Sequence, residues 1–557
     1  MKKPHTSSPS LRKITFASCA LLLGSWSMVS ASNLVLSDEL FTDSSSSSTT
    51  FIYDDLIVSG HAQYRVNATG TSNIVTVLFD GDYLPSTTQP TTFWLLTGTS
   101  TGSSPGTLWD RVEMFFNNTT LPSAITPSGM PPSGWQPIVH PSIVTRSPDH
   151  HQRVTAIYQD TGIGELTMAT NVATDIQDSA TDQFAIYRSD SNSGSTVTLN
   201  TSKTVYAVEM LGNLHTSDAN HVLTVASGLF LLNNTEGDRE SDAIIHFGGQ
   251  TGYIHGDTTR NWSFNAAVQG DTGIVVTDTG RNNSTISFAS DANTFTGGLT
   301  IISGNVVVSG GTPGSGGDGV GLNRDGIFID LYLGANGSFD TGGRNQSIGE
   351  LTGAGTLLST SATASLLAIH VADGESAEFS GTITNAAGAL TLEKAGDGTQ
   401  TLSGANTHTG DTLVTAGTLA LADGGSLLFN IGVDGVNNQI GGTGNLVLDG
   451  ELIFDLSGAG TTAGNIWQVV DLSSLSVDFG GSFIVSSLGG AFSDLNGIWT
   501  RMENNVEYQF DQTSGTLSVI PEPAASGLLI GIGLGLVLLW RRSGKNQCAG
   551  RVRTEKS

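Results

Sequence analysis

Between residues 391 and 421 the chain reads TLEKAGDGTQTLSGANTHTGDTLVTAGTLAL. Apolar and β-branched residues fall into three short runs, Thr399 to Leu402, Thr412 to Thr415 and Thr418 to Leu421, with Gly, Asn or Asp at the boundaries. Thr, Leu and Val suit a pleated, half-buried surface. The boundary residues tolerate the backbone angles of tight turns. Strands of four residues do not persist alone in water, so the pattern predicts copies stacked on either side.

An earlier copy is present. Residues 293–308 read NTFTGGLTIISGNVVV and residues 406–421 read NTHTGDTLVTAGTLAL. At a constant offset of 113, Asn293, Thr294, Thr296, Gly297 and Gly304 match Asn406, Thr407, Thr409, Gly410 and Gly417. The matched positions are turn residues, and the residues between them stay mostly apolar or β-branched. A stacked coil has this pattern, with fixed corners and interchangeable walls. The order Asn-Thr-x-Thr-Gly, β residues, Gly, strand resembles the autotransporter-associated β-strand repeat. The match is close at 391–421, fair at 286–310 and looser at 348–358. The resemblance implies an extracellular right-handed parallel β-helix.

The same rhythm extends the reading along the chain. From about residue 161, Thr196 to Leu199, Val205 to Met210 and His221 to Leu232 are successive strand candidates, and 161–425 is read as the β-helix. The glycine-rich run 310–321 reads as a loop leaving the coil. Residues 32–160 lack the repeat. Ile74 to Phe79 and Phe93 to Leu96 look like strands, Ser44 to Ser48 like a tether, and 97–107 and 119–142 like loops, so this region is read only as β-rich. Residues 426–520 carry longer strands with more aromatics, such as LVLDGELIFDLSG and VEYQFDQTSGTLSVI. They read as a C-terminal β cap, because an open coil end exposes strand edges and core.

Composition agrees with an all-β coil. The 557 residues include 71 Gly, 15 Pro and only 13% charged residues. Ten of the 23 basic residues and one of the 50 acidic ones lie in 1–31 and 524–557, so the middle holds 49 acidic against 13 basic residues, a net of −36. Such a surface repels nucleic acid and anionic lipid. It favours solubility outside the cell and could attract cations or cationic polymers. Cys19 and Cys548 lie in the terminal segments, so the middle has no disulfide framework.

The two ends read as targeting signals. Lys2, Lys3, Arg12 and Lys13 precede an apolar stretch from Ile14 to Val29, and Val29-Ser30-Ala31 offers small residues to a signal peptidase. Cleavage is expected between Ala31 and Ser32. Too little apolar chain precedes Cys19 for a lipoprotein signal. At the other end, Pro521-Glu522-Pro523 precedes an uncharged run from Ala524 to Trp540, then Arg541-Arg542. The run would span about 25 Å as a transmembrane helix, with both arginines and the basic tail 543–557 inside. The trio resembles the PEP-CTERM sorting signal, which implies processing by an exosortase-type membrane protease. The tail extends past the usual end of that signal.

Candidate chemistry is sparse. Gly98-Thr99-Ser100-Thr101-Gly102 and Gly102-Ser103-Ser104-Pro105-Gly106 match G-x-S-x-G, but Gly, Ser and Pro continue where an elbow needs a helix. His150 and His151 beside Asp149 point opposite ways in an extended segment, and His246 and His255 stand isolated among glycines. Asp54-Asp55 and the Glu375/Glu378 pair raise glycoside hydrolysis or lyase chemistry, which needs carboxylates from different rungs about 5–10 Å apart. Glu236, Asp238, Glu240 and Asp242 alternate and read as a solvated loop. Gly316-Gly317-Asp318-Gly319 approaches a calcium repeat, but Gly321 replaces the next Asp, so calcium by another arrangement is all that stays open. No catalytic residue, cofactor site or metal site is assigned.

The sequence therefore reads as an exported structural or adhesive β-helix of a Gram-negative-type cell envelope or exopolysaccharide matrix. Its expected partners are the two processing proteases, the membrane before processing, and exopolysaccharide or surface glycans. A polysaccharide lyase or glycoside hydrolase is the alternative.

Overall fold

In the computed structural model, the described residues are 196–520, apart from 206, 233–236, 257–259, 271, 279–283, 310–322 and 325–326, together with backbone strands between Ser27 and Arg188. They contain strands and turns and no α-helix. Among them no helix is long and apolar enough to cross a membrane. The loop read at 310–321, the run Ala524 to Trp540 and most of the leader lie outside these residues.

The chain divides into two compact units, 1–348 with 352–357, and 349–351 with 358–557. In the first unit, three strands recur in each coil. Val222–Val225, Leu229–Leu232 and Arg239–Ser241 make one set, and each strand lies parallel to its counterpart in the next set. Alternation decides which side chains enter the coil. One inward column runs Val197, Leu214, Ser241, Phe264, Phe288 and Val308, and all are buried. Phe264 and Phe288 stack with centroids 5.6 Å apart, and Phe230 meets Phe264 edge-on at 5.7 Å. Each such side chain removed from water contributes roughly 1.5–3 kcal/mol.

Parallel pairing also runs through the region read only as β-rich. Thr49–Tyr53, Val75–Phe79 and Val112–Phe116 stack in register, as do Gly60–Asn67 and Thr91–Gly98. The expected strands at 74–79 and 93–96 are present, while Ile138–Arg146 forms a strand where a loop was expected at its start. Ser27–Ser30, placed in the leader by sequence, pairs with Thr49–Ile52.

The second unit stacks the same way. Phe379, Leu402, Leu421, Leu448 and Phe479 form one column. Leu367, Leu392, Thr412 and Ile440 form another. Thr399–Leu402 and Thr418–Leu421 are equivalent strands of adjacent coils, and Thr412–Val414 belongs to a different face. The parallel stack does not end at residue 425. It continues through Ser426–Asn430, Glu451–Asp455 and Ile484–Ser487. The longer strands of 446–455 keep the inward alternation, burying Leu446, Leu448, Leu452 and Phe454, so length and aromatic content did not mark a change of architecture.

In the second unit antiparallel pairing is concentrated at 490–520 and takes in Ile466–Gln468. Ser493–Leu495, Ile498–Glu503, Val506–Asp511 and Thr516–Ile520 form a meander joined to Ile466–Gln468. Its tight turns are Asn496-Gly497 and Asn504-Asn505, all four at positive φ, the geometry that two-residue hairpins favour. Phe510 and Phe492 lie 5.8 Å from Phe454 of the coil.

The matched repeat residues now have physical roles. Asn293 Oδ1 accepts the Val268 N–H at 2.7 Å, and Asn406 Oδ1 accepts the Ile383 N–H at 3.1 Å. Both asparagines are buried, and each fastens its corner to the previous coil. A Cβ on Gly297 would lie 1.7 Å from the Thr272 carbonyl oxygen, and one on Gly410 would lie 2.5 Å from that of Leu390. Gly304 and Gly417 hold φ of +93° and +61°, where glycine is favoured.

Candidate functional site

The repeat contains two buried titratable groups, and both serve the coil. Lys394 occupies an inward position between Ile369 and Val414. Its Nζ donates to the carbonyls of Ala395 at 2.7 Å, Gly396 at 2.8 Å and Ala416 at 3.4 Å. Desolvation pulls its pKa down to about 8, opposed by nearby Asp397. The ammonium thereby lies against the carbonyls of the corner that closes this strand.

His408 stands at the variable position of Asn-Thr-x-Thr-Gly, where the first copy has Phe295. Its Nε2 lies 2.9 Å from Thr412 Oγ1, and burial lowers its pKa to about 4. An unfolded histidine titrates near 6.5. Below that pH the unfolded chain takes a proton that the folded chain refuses, so stability falls between about pH 6.5 and pH 4 and this contribution levels off below. The loss attributable to His408 is roughly 3 kcal/mol across that window. His408→Phe should remove this part of the acid dependence in denaturant unfolding followed from pH 7 to pH 4. Parallel curves for both proteins would show that His408 does not titrate on unfolding.

Outward-facing chemistry converges at one place among the described residues. His215, Glu240 and Asp242 each offer a donor atom, all within 4.8 Å of one another. Leu214 is in register with Ser241, which sets His215 beside Asp242 on the next coil. His215 Nδ1 is hydrogen-bonded to Asp242 Oδ2, and Nε2 lies 4.0 Å from Glu240 Oε1. From the following coil, Asn265 Nδ2 donates to Glu240 Oε2 at 2.9 Å and to Asp242 Oδ1 at 3.0 Å. The three side chains are 33–46% exposed. Chemically, the set offers an imidazole and two carboxylates to a cation, or an acid–base group to a bound polymer.

The alternation of Glu236, Asp238, Glu240 and Asp242 predicts a solvated loop. Instead Arg239–Ser241 is a strand, and its alternation sends Glu240 outward toward the same patch as Asp242. His215 carries no signal in the sequence, because its partner lies 27 residues away and only the register joins them. Glu378 accepts from Ser403 Oγ at 2.6 Å. His246 Nδ1 accepts the Gly248 N–H at 3.0 Å, and His255 is buried against Thr277 Oγ1. A shallow groove lined by Thr251, Thr272–Val275, Gly297, Gly298 and Thr300 carries no charged group. Asp54, Asp55, Ser100, Ser104, Asp149, His150, His151 and Asp318 lie outside the described residues, as do Ala31, Ser32, Pro521, Glu522, Pro523, Arg541 and Arg542.

Residues 392–421 match the passenger-associated-transport-repeat. The matched segment holds Lys394, Asn406, His408, Gly410, Gly417 and Leu419. A repeat of the autotransporter-associated kind is therefore present, and such repeats point to an extracytoplasmic, envelope-associated setting. No curated protein matches the chain.

Proposed function

We propose that the chain is an exported, surface-displayed β-helix that acts as a structural or adhesive scaffold in the cell envelope or its exopolysaccharide matrix. The observation that carries this reading is the use of the matched repeat residues. Asn406, Gly410 and Gly417 hold the coil together, which leaves the repeat to build a surface rather than a reaction centre. The acidic, cysteine-free middle suits that setting. In this reading a signal peptidase cuts between Ala31 and Ser32. Pro521-Glu522-Pro523, the run Ala524 to Trp540 and the stop at Arg541-Arg542 then present the C-terminus to an exosortase-type membrane protease.

Mass spectrometry of the exopolymer fraction tests the proposal. The chain should co-purify with exopolymer, begin at Ser32 and end near Pro523. Recovery only from the cytoplasm would contradict the scaffold, and surface chain still carrying 543–557 would contradict the processing. His215 of one coil converges with Glu240 and Asp242 of the next, and this acid–base set favours a second reading, a polysaccharide lyase or glycoside hydrolase, with both carboxylates drawn from one coil. Release of new chain ends from that polymer, lost in Glu240→Gln, would replace the scaffold with an enzyme.

A further inference from the structure

We propose that His215, Glu240 and Asp242 bind a divalent first-row transition cation of the zinc class. The donor set differs from an ordinary acidic patch in how its oxygens are divided. Asn265 Nδ2 engages Glu240 Oε2 and Asp242 Oδ1. The other oxygens, Glu240 Oε1 and Asp242 Oδ2, are the ones that face the imidazole. Asn265 is itself oriented by Ser263 Oγ, which donates to its Oδ1 at 2.7 Å. A polar group from the next coil thus holds the outer oxygens and leaves Glu240 Oε1 beside His215 Nε2, while Asp242 Oδ2 is bonded to the other ring nitrogen, Nδ1, a bond it exchanges for the ion. Outer-shell partners of metal ligands act in this way, orienting carboxylates and raising affinity.

The backbone fixes the same arrangement. The Asp242 N–H donates to the Leu214 carbonyl at 2.9 Å, and the Glu240 N–H donates to Asn213 Oδ1 at 3.2 Å. His215 and Glu240 therefore stand on paired strands, and Asp242 follows directly on one of them with its N–H tied to the other. Arg239, the neighbouring cation, turns its Nε to the Leu211 carbonyl at 3.2 Å, away from the two carboxylates. One imidazole with two carboxylates suits zinc, whereas calcium and magnesium prefer all-oxygen sets. With the ligands part-exposed, a fourth position is open to water or to a donor from a bound polymer. The ion would tie adjacent coils together at the surface.

Calorimetric titration of the full chain, stripped by a chelator, with zinc chloride alone tests the site. Other histidines can add weak binding, so the comparison between variants decides. Wild type should bind one equivalent that is lost in His215→Ala and His215→Asn, and Asn265→Ala should weaken it about tenfold or more. Asp423→Asn, which removes one exposed negative charge elsewhere, should leave binding unchanged. Zinc should raise the unfolding temperature of wild type and of Asp423→Asn, but not of His215→Asn, provided the metal-free variants unfold like wild type. Equal stoichiometry and affinity in all variants would overturn the proposal. So would an equal loss in Asp423→Asn, or calcium chloride binding as tightly as zinc chloride.

Discussion

Leu419→Asp should lower stability by about 5 kcal/mol, on the scale of the whole stability of an ordinary domain. Leu419 is buried, in register with Gln400 below and Leu446 above. The substitution removes the apolar contacts and places a carboxylate among groups that cannot answer it. Gln400 offers no rescue, because its Nε2 already donates to the carbonyls of Leu351 at 2.9 Å and Thr401 at 3.1 Å. The adjacent residue supplies the control. Ala420 faces the other side of the strand and is half-buried, so Ala420→Asp should cost below about 1 kcal/mol. Denaturant unfolding of both variants checks the pair. Wild-type stability in Leu419→Asp would show that the strand faces the other way.

Gly417→Val should cost about 3–5 kcal/mol, from two sources that add. The residue holds φ at +61°, strained for a β-branched side chain by roughly 1–3 kcal/mol. A Cβ there would also sit 2.4 Å from the carbonyl oxygens of both Gly396 and Gly398, and overpacking adds a similar amount. Gly424 separates the two effects. Its φ is +87°, but a Cβ would meet nothing within 4 Å. Gly424→Ala should therefore cost only about 1 kcal/mol of strain, and Gly417→Ala more. Equal losses at the two glycines would remove close backbone approach as the reason for the matched corner.

These corners explain what could be read without coordinates. Asn406, Gly410 and Gly417 each meet a demand that few residue types satisfy: a buried bond to the coil below, a missing Cβ, a positive φ. Demands of that kind fix residue identity, so two copies aligned at one offset. Wall residues such as Leu419 were legible through alternation alone. The continuation of the stack past residue 425 was not, because a coil strand and a closing strand share the same period. The cluster at His215 was hidden for another reason. Inward partners Leu214, Ser241, Phe264 and Phe288 mark successive coils of unequal length, so no fixed offset brings His215 to Asp242. His408 and Lys394 were hidden because a polar residue at an inward position looks, in sequence, like a break in the pattern.

Every assignment rests on the stack, and a disulfide across two coils reads its register directly. Thr401 and Ala420 are in-register neighbours on adjacent parallel strands, and both are half-buried. Neighbouring strands lie about 4.8 Å apart, within the range a disulfide can bridge. In a chain with Cys19→Ser and Cys548→Ser, the Thr401→Cys/Ala420→Cys pair should oxidise nearly completely without loss of folding. Thr401→Cys/Ala422→Cys, displaced by two residues along the strand, should stay reduced under the same conditions. Oxidation of the displaced pair with none in the first would contradict the stacked coil.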